Sequence, residues 1–431
     1  MKLTKNQIFI IIAVVAVIGV GWFLLSKFSK NGNKPVPVAL KVWGVADRAV
    51  MDTLSARYSA YRPNVTVTYT QIPADGYDQA VIDAMAAGQG PDVFMMKNYA
   101  VARNAKFLTP VPDAQFTLSS LDGLFPTTVS SDAVVAGKIY FLPLDLNTLA
   151  LYYNKDYFDQ AGIAFPPATW QDFQSDVNRL KKLNDANQVI RAGAAIGGSG
   201  KTISEFLDIL GLLMMQNGAQ MTDAAKTTAM FAQGGGEGQK ALNFYLQFAN
   251  PTSDYFTWSD AQVDSKDSFA QGNTAMIFGY RETAAAIRQK SPFLNFRVAA
   301  VPQTSSDASL SFPSYWGLGV SRQSPASGWA WDYTIFATTN QVAVAEYNKN
   351  SQTTPALRTL IASSSASTDP TEQIFARQAL SARSWFVGDW QKATDIFNSM
   401  LADIFGGRIT SDRGLRQAQD QMSQVIKTIN Q

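Results

Sequence analysis

Asp145 and Glu282 could serve as the two carboxylates that glycosidic-bond cleavage requires, one as acid and one as base or nucleophile. Most other reaction chemistry is closed to this chain by what it lacks. Its 431 residues include no cysteine and no histidine, which removes thiolate nucleophiles, histidine-based triads and Cys or His metal sites. Gly200-Lys201-Thr202 ends like a phosphate-binding loop, but that motif also needs glycine where this chain has Ala195, so the segment is an ordinary glycine-rich loop. What remains is the chemistry of recognition. Trp43, Asp47, Arg48, Asn98, Asp145, Asn147, Tyr280, Arg281, Glu282, Tyr315, Trp316, Trp385 and Trp390 supply rings, amides and charges. Such groups suit a neutral polar ligand, because aromatic faces stack on its apolar surface while Asp, Asn and Arg pair its hydroxyls. Core packing is the alternative for each ring, and helix capping with a solvated charge is the alternative for Asp47 and Arg48. The set has no excess of arginine for phosphate and none of carboxylates for a polyamine.

The elements that must position these residues can be read from pattern. Leu40 to Gly44 is a first strand, Asp47 to Tyr61 a helix, and the alternating Val65 to Gln71 a second strand. Tyr77 to Ala87 is helical and ends near Gly88. Gly90-Pro91 then turns into a third strand through Met96. This β-α-β-α-β opening implies a parallel, doubly wound α/β lobe, whose ligands lie beyond the carboxyl ends of its strands. That places Trp43, Asp47 and Arg48 after the first strand and Asn98 after the third. Ile139 to Leu142 is a short strand stopped by Pro143, Asp145-Leu146-Asn147 a polar hinge, and Thr148 to Tyr153 a strand buried on both faces. Thr169 is the expected N-cap of the following helix. Tyr315 and Trp316 are adjacent on a strand, so their rings point to opposite faces and one is expected to reach the ligand. A chain of this length exceeds what one core supports, so two lobes are expected.

Several segments carry a resemblance. Gly88-Gln89-Gly90-Pro91-Asp92-Val93, the run from Gly137 to Trp170 with its Leu151-Tyr152-Tyr153-Asn154-Lys155, the Phe269 to Met276 segment and Ser314 to Val320 resemble extracellular solute-binding proteins of the maltodextrin-binding type, the receptors of ABC importers. The resemblance covers residues 40 to about 400. It implies a two-lobed, periplasmic-binding-protein-like fold with three interdomain crossovers, at Asp145 to Asn147, at Tyr280 to Glu282 and at Ser314 to Val320. On that scheme residues 39–144 and 281–315 form lobe 1, with Asn295 to Pro302 as one of its strands, and residues 148–278 and 321–431 form lobe 2. It also implies a carbohydrate ligand, permease subunits as partners, a monomer, no cofactor and no catalysis; a receptor for another solute, such as a peptide or a glycerophosphodiester, and an anchored sensor or adhesion module of the same fold are the alternatives. Asp47 and Arg48 stand where the family pairs sugar hydroxyls, and Asn147 where the maltodextrin type has a ligand-binding carboxylate. The aromatic and the acid that this type places near Asn98 are missing.

Charge and hydropathy bear on location. Residues 1–34 hold five lysines and no acid, which leaves the remainder with 31 basic against 34 acidic residues. A nucleic-acid binder needs a basic body, and this is not one. Ile8 to Leu25 carries no charge over 18 residues, about 27 Å as a helix and close to a bilayer's hydrocarbon thickness. Bulky Trp22 to Leu25 disfavours signal cleavage. The expectation is a single transmembrane anchor at 8–25, residues 1–7 in the cytoplasm, a linker over 26–38, and a folded body outside the cell.

Overall fold

The structure, a computed structural model, describes residues 36–430. The expected anchor, and the linker before Val36, lie outside those residues. Among the described residues no helix is long and apolar enough to cross a membrane.

Strand β1 (Val38–Gly44) lies parallel to β2 (Val65–Gln71) on one side and to β3 (Val93–Lys97) on the other. Helices α1 (Arg48–Tyr61) and α2 (Tyr77–Ala86) make the crossovers, as the alternating and helical patterns imply. After β4 (Leu142–Pro143), the chain passes Asp145, Leu146 and Asn147 and enters β5 (Ala150–Asn154), buried at all five positions. β5 takes β6 (Met276–Gly279) antiparallel on one edge and β7 (Phe296–Ala299) antiparallel on the other. β8 (Trp316–Val320) then returns to the first sheet and fits antiparallel between β3 and β4, with Trp316 opposite Lys97 and Leu318 opposite Leu142. The sheets are therefore β2-β1-β3-β8-β4 and β6-β5-β7. The space for β8 is narrow. A Cβ on Gly317 would lie 2.3 Å from the Leu142 carbonyl oxygen, which is why the strand carries glycine there.

Two buried clusters follow this division. One draws on residues from Leu40 to Leu146, from Tyr315 to Ile361 and on Ala376 and Ala379, the other on residues from Leu149 to Phe312, on Phe375 and on residues from Trp385 to Ile426. Both parts of the expected lobe scheme are corrected. Phe296–Ala299 does not join the first sheet, because β5 has two edges and β7 satisfies the backbone groups of the second. Nor does the chain change lobe at Tyr280 to Glu282, since β6, the following helix Thr283–Lys290 and β7 stay together in the second lobe. The stretch after Val320 packs in the first core through Trp331, Tyr333, Tyr347 and Ile361. The crossings among the described residues thus fall at Asp145 to Thr148, at Pro313 to Tyr315 and at Ser381 to Trp385.

The expected N-cap is present. Thr169 Oγ1 accepts from Asp172 N at 3.1 Å while Asp172 Oδ2 accepts from Thr169 N at 3.1 Å, a complete capping box for helix α3 (Trp170–Leu180). Thr169→Ala removes it and is expected to cost about 1 kcal/mol in urea unfolding. An unchanged midpoint would show that the box contributes nothing.

Candidate ligand-binding cleft

Two adjoining cavities lie where the lobes face each other. The larger, of about 1080 Å3, is lined from the first lobe by residues such as Asn98, Tyr99, Arg103 and Asp132, and from the second by Met215, Met221 and Lys226. Trp385 and Phe386 of the last crossing complete its wall. The smaller, of about 210 Å3, shares Asn98, Tyr99, Asp132, Ser384 and Trp385 and adds Lys97, Asp208, Tyr280, Glu282 and Trp390. Contacts bridge the lobes beside them. The rings of Tyr99 and Trp390 stack with centroids 4.8 Å apart and planes at 21°, and Arg103 lies 3.7 Å from Asp389.

Local structure explains who reaches the cleft. β3 ends at Lys97, and a turn of 3-10 helix, Asn98–Ala100, swings Asn98 and Tyr99 off the sheet at its carboxyl end. Helix α4 (Phe206–Gln216) is buried along nearly its whole length, and Asp208 is its one carboxylate. Asp389 caps helix α5 (Trp390–Phe405), so Trp390 is held at the first position of that helix. Asp132, in the short helix Thr127–Ala133, accepts from Asn98 Nδ2 at 2.9 Å, from Tyr315 Oη at 2.7 Å and from Ser384 Oγ.

Five of the residues singled out from sequence are brought together: Asn98, Tyr280, Glu282, Trp385 and Trp390 all line the smaller cavity. Others stand one layer away. Tyr315 is fully buried, with its hydroxyl on Asp132. Trp316 packs edge-on against Tyr77 and carries the Lys97 ammonium 4.9 Å from its ring centre, so neither ring of this pair lines a cleft cavity. Asp145 is buried and accepts from Trp316 N, while Asn147 donates to Glu282 Oε2 at 3.4 Å. Asp47 caps α1 by accepting from Ala49 N and Val50 N, and Arg48 pairs with Asp52 at the surface. The backbone carbonyl of Trp43 accepts from Tyr77 Oη. Arg281 faces away into a separate groove with Arg288 and Lys349. Tyr99, Asp132 and Asp208 were missed. Tyr99, the residue after Asn98, lines both cavities.

The profile of the bacterial extracellular solute-binding proteins matches residues 44–344. The chain belongs to that family. A putative binding protein of Brucella abortus (strain 2308) is 25% identical over 245 residues, 57% of each chain. The sn-glycerol-3-phosphate-binding periplasmic protein UgpB of Shigella dysenteriae serotype 1 (strain Sd197) is 27% identical over 289 residues, 63% of this chain and 62% of that one. The chain thus spans less than two thirds of the length of these curated relatives. In structure it is similar to the sugar-binding protein MalE from the phytopathogen Xanthomonas citri, with a TM-score of 0.73 and 18% identity over 90% of this chain and 98% of the other. That likeness is one of fold, and it makes the two lobes and their crossings a periplasmic-binding-protein-like architecture.

The electrostatics of the cleft differ from end to end. Arg103, Lys106, Lys226 and Arg383 line the larger cavity together with Asp132, whereas Asp132, Asp208 and Glu282 line the smaller against the single cation Lys97. The carboxylate excess that the sequence set lacked is therefore present once Asp132 and Asp208 are counted. Burial raises the carboxyl of Asp132, against the pull of its three donors. Burial also pushes Asp208 up to about 7; Tyr280, Lys97 and Lys266 nearby hold it down, and Glu205 pushes it further up.

Proposed function

We propose that this protein is a carbohydrate receptor, held at the outer face of the cell membrane by Ile8 to Leu25, that captures a sugar or oligosaccharide between its lobes and delivers it to the permease subunits of an ABC importer as a monomer. The observation that carries the reading is the cleft's pairing of Tyr99, Trp385 and Trp390 with Asn98, Asp132 and Glu282. Rings stack on the apolar face of a pyranose, and the polar groups pair its hydroxyls. A ligand that touches both lobes stabilises their closed arrangement, which is the change an importer can sense. The sugar-binding protein of the same fold and the family itself support this reading. The family is one of binding proteins, and Asp145 does not line the cavity that Glu282 lines. The particular pair picked out from sequence is therefore not presented to one ligand.

A second reading, a glycerol phosphate or glycerophosphodiester receptor, draws on the UgpB relatives and on the four cations of the larger cavity. Thermal unfolding against a panel of mono- and oligosaccharides and sn-glycerol 3-phosphate separates the two. A saturating sugar is expected to add about 2 to 3 kcal/mol at a hundredfold excess over its Kd, a rise of several degrees. A rise with the phosphate alone would replace the carbohydrate reading, and a panel without any rise would sink both.

A further inference from the structure

Three buried polar atoms at the acidic end of the cleft lack a well-formed hydrogen bond. Asp208 Oδ1, Tyr280 Oη and Trp385 Nε1 make no hydrogen bond within the protein. Asp208 and Tyr280 are close enough for each to shift the other's proton affinity through a direct side-chain interaction, so the hydroxyl and the carboxylate face the cavity as a loose pair that falls short of a well-formed hydrogen bond. The three residues are only 7%, 6% and 7% exposed, and all three line the 210 Å3 cavity. A buried donor or acceptor is unfavourable unless something pairs with it, so the trio marks a place where a ligand supplies partners.

Charge narrows the partner. Lys97, the one cation lining this cavity, already donates to Ser314 Oγ at 3.1 Å and lies over Trp316. Lys266 is paired with Glu205 at 2.6 Å. Among the described residues Asp208 forms no ion pair of its own, and it shares the cavity with Asp132 and Glu282. A neutral hydroxyl would satisfy Asp208 Oδ1 as a hydrogen-bond partner, but it would do nothing to compensate the charge of the ionised carboxylate, the form that prevails above about pH 7. A protonated amine does both. The rings of Tyr99, Trp385 and Trp390 line the same space, and aromatic surroundings suit a cation as well.

We infer that the small cavity is an ammonium subsite, and that, within the carbohydrate reading on which this rests, the ligand is an amino sugar whose protonated amine sits against Asp208 and Glu282. Trp385 Nε1 and Tyr280 Oη then donate to its oxygens. The larger cavity favours the same orientation: Arg103 there is paired with Asp78 and Asp389, but Lys106 and Arg383 disfavour an amine beside them. Binding is also coupled to pH. Asp208, held up to about 7 without ligand, is faced by Glu205 near the start of its own helix, Tyr280 after β6, Lys97 and Tyr99 at the end of β3, and Lys266 on the helix Ser265–Ala270. A bound ammonium favours the ionised carboxylate. Affinity for the amine therefore rises as pH climbs through about 7, with release of a proton, until the amine itself loses its charge.

The test is calorimetric titration of the full chain, kept soluble in mild detergent. The probes are glucosamine, galactosamine, mannosamine and short glucosamine oligomers, each beside its N-acetyl and its hydroxyl counterpart. The expected result is an amine bound about tenfold or more tighter than its counterparts near pH 8, with the advantage shrinking near pH 5.5 and lost in Asp208→Asn. The wild-type pH profile keeps the test decisive if that variant folds poorly. Counterparts that bind as well as the amines overturn the ammonium subsite and leave the carbohydrate reading standing. Binding of sn-glycerol 3-phosphate alone overturns both, and a panel in which no amine binds overturns the subsite.

Discussion

Asp145→Asn is expected to be more stable than the wild-type protein near pH 8 and to lose that advantage near pH 4. Asp145 is 2% exposed, and burial raises its carboxyl to about 7; Lys97 and the Trp316 N–H pull it back, and Glu282 pushes it up. The buried phenols Tyr315 and Tyr347 also face it. In the unfolded chain an aspartate titrates near 4. Between about pH 4 and 7 the unfolded chain gives up this proton while the native state keeps it. The native state then binds more protons, and stability falls as pH rises through that window, by about 4 kcal/mol over roughly three pH units. Above the window the loss is complete and flat. Asparagine has no proton to lose and keeps an oxygen for the Trp316 N–H, but its buried NH2 lacks an evident acceptor, which offsets about 1 to 2 kcal/mol of the gain. Urea unfolding of both proteins near pH 4 and pH 8 reads the difference directly. A gain of the same size at both pH values, or none at pH 8, would refute the account. Asp208 and Asp176, also raised by burial, act on the wild-type protein in the same direction and leave the comparison unaffected. A fold does not need a carboxylate this costly. Asp145 sits at the first crossing, beside Lys97 and Glu282 of the cleft, where such a cost is characteristic of function.

That residue also shows how far the sequence could be read. The polar hinge between two apolar strands was visible because Asp145 and Asn147 interrupt an otherwise apolar run, and the alternation of Val65 to Gln71 set that strand's bounds correctly. Strand partners were not visible. Phe296–Ala299 reads as a strand wherever it pairs, and only the free edge of β5 decides that it belongs to the second lobe. The same limit applied to the rings. Tyr315 and Trp316 do diverge from neighbouring positions, but one face leads into the first core and the other to Tyr77 and Lys97. Tyr99 reaches the cleft through a short 3-10 turn that no periodicity announces. Asp208 did leave a signal: in the run FLDILGLLMMQ it is the only charge, and a lone carboxylate in a helix apolar on every side must find a partner or a ligand.

The Tyr99 and Trp390 stack yields the largest expected effect on binding. The two rings come from different lobes, and together with Phe312, whose ring centre is 6.3 Å from that of Trp390, they join the walls of the small cavity. A ligand that enters must either stack against this pair or part it. In both cases Trp390 exchanges one aromatic contact for another, and a large ring at the centre of an interface is where affinity concentrates. Trp390→Ala is therefore expected to weaken binding of the best sugar in the panel by about 2 to 4 kcal/mol, roughly 30- to 1000-fold. The free protein gives up much less. Trp390 is only half-buried, and alanine at the first position of α5 keeps both the helix and its Asp389 cap. Tyr99→Ala is expected to act in the same direction with a smaller loss. Trp316→Phe supplies the contrast: it keeps a ring beneath Lys97 and touches neither cavity, so affinity stays within about threefold. Calorimetry on the three variants decides between the two aromatic pairs. If Trp316→Phe lost the ligand while Trp390→Ala retained it, the binding surface would lie at the carboxyl end of β8 instead of at the stack between the lobes.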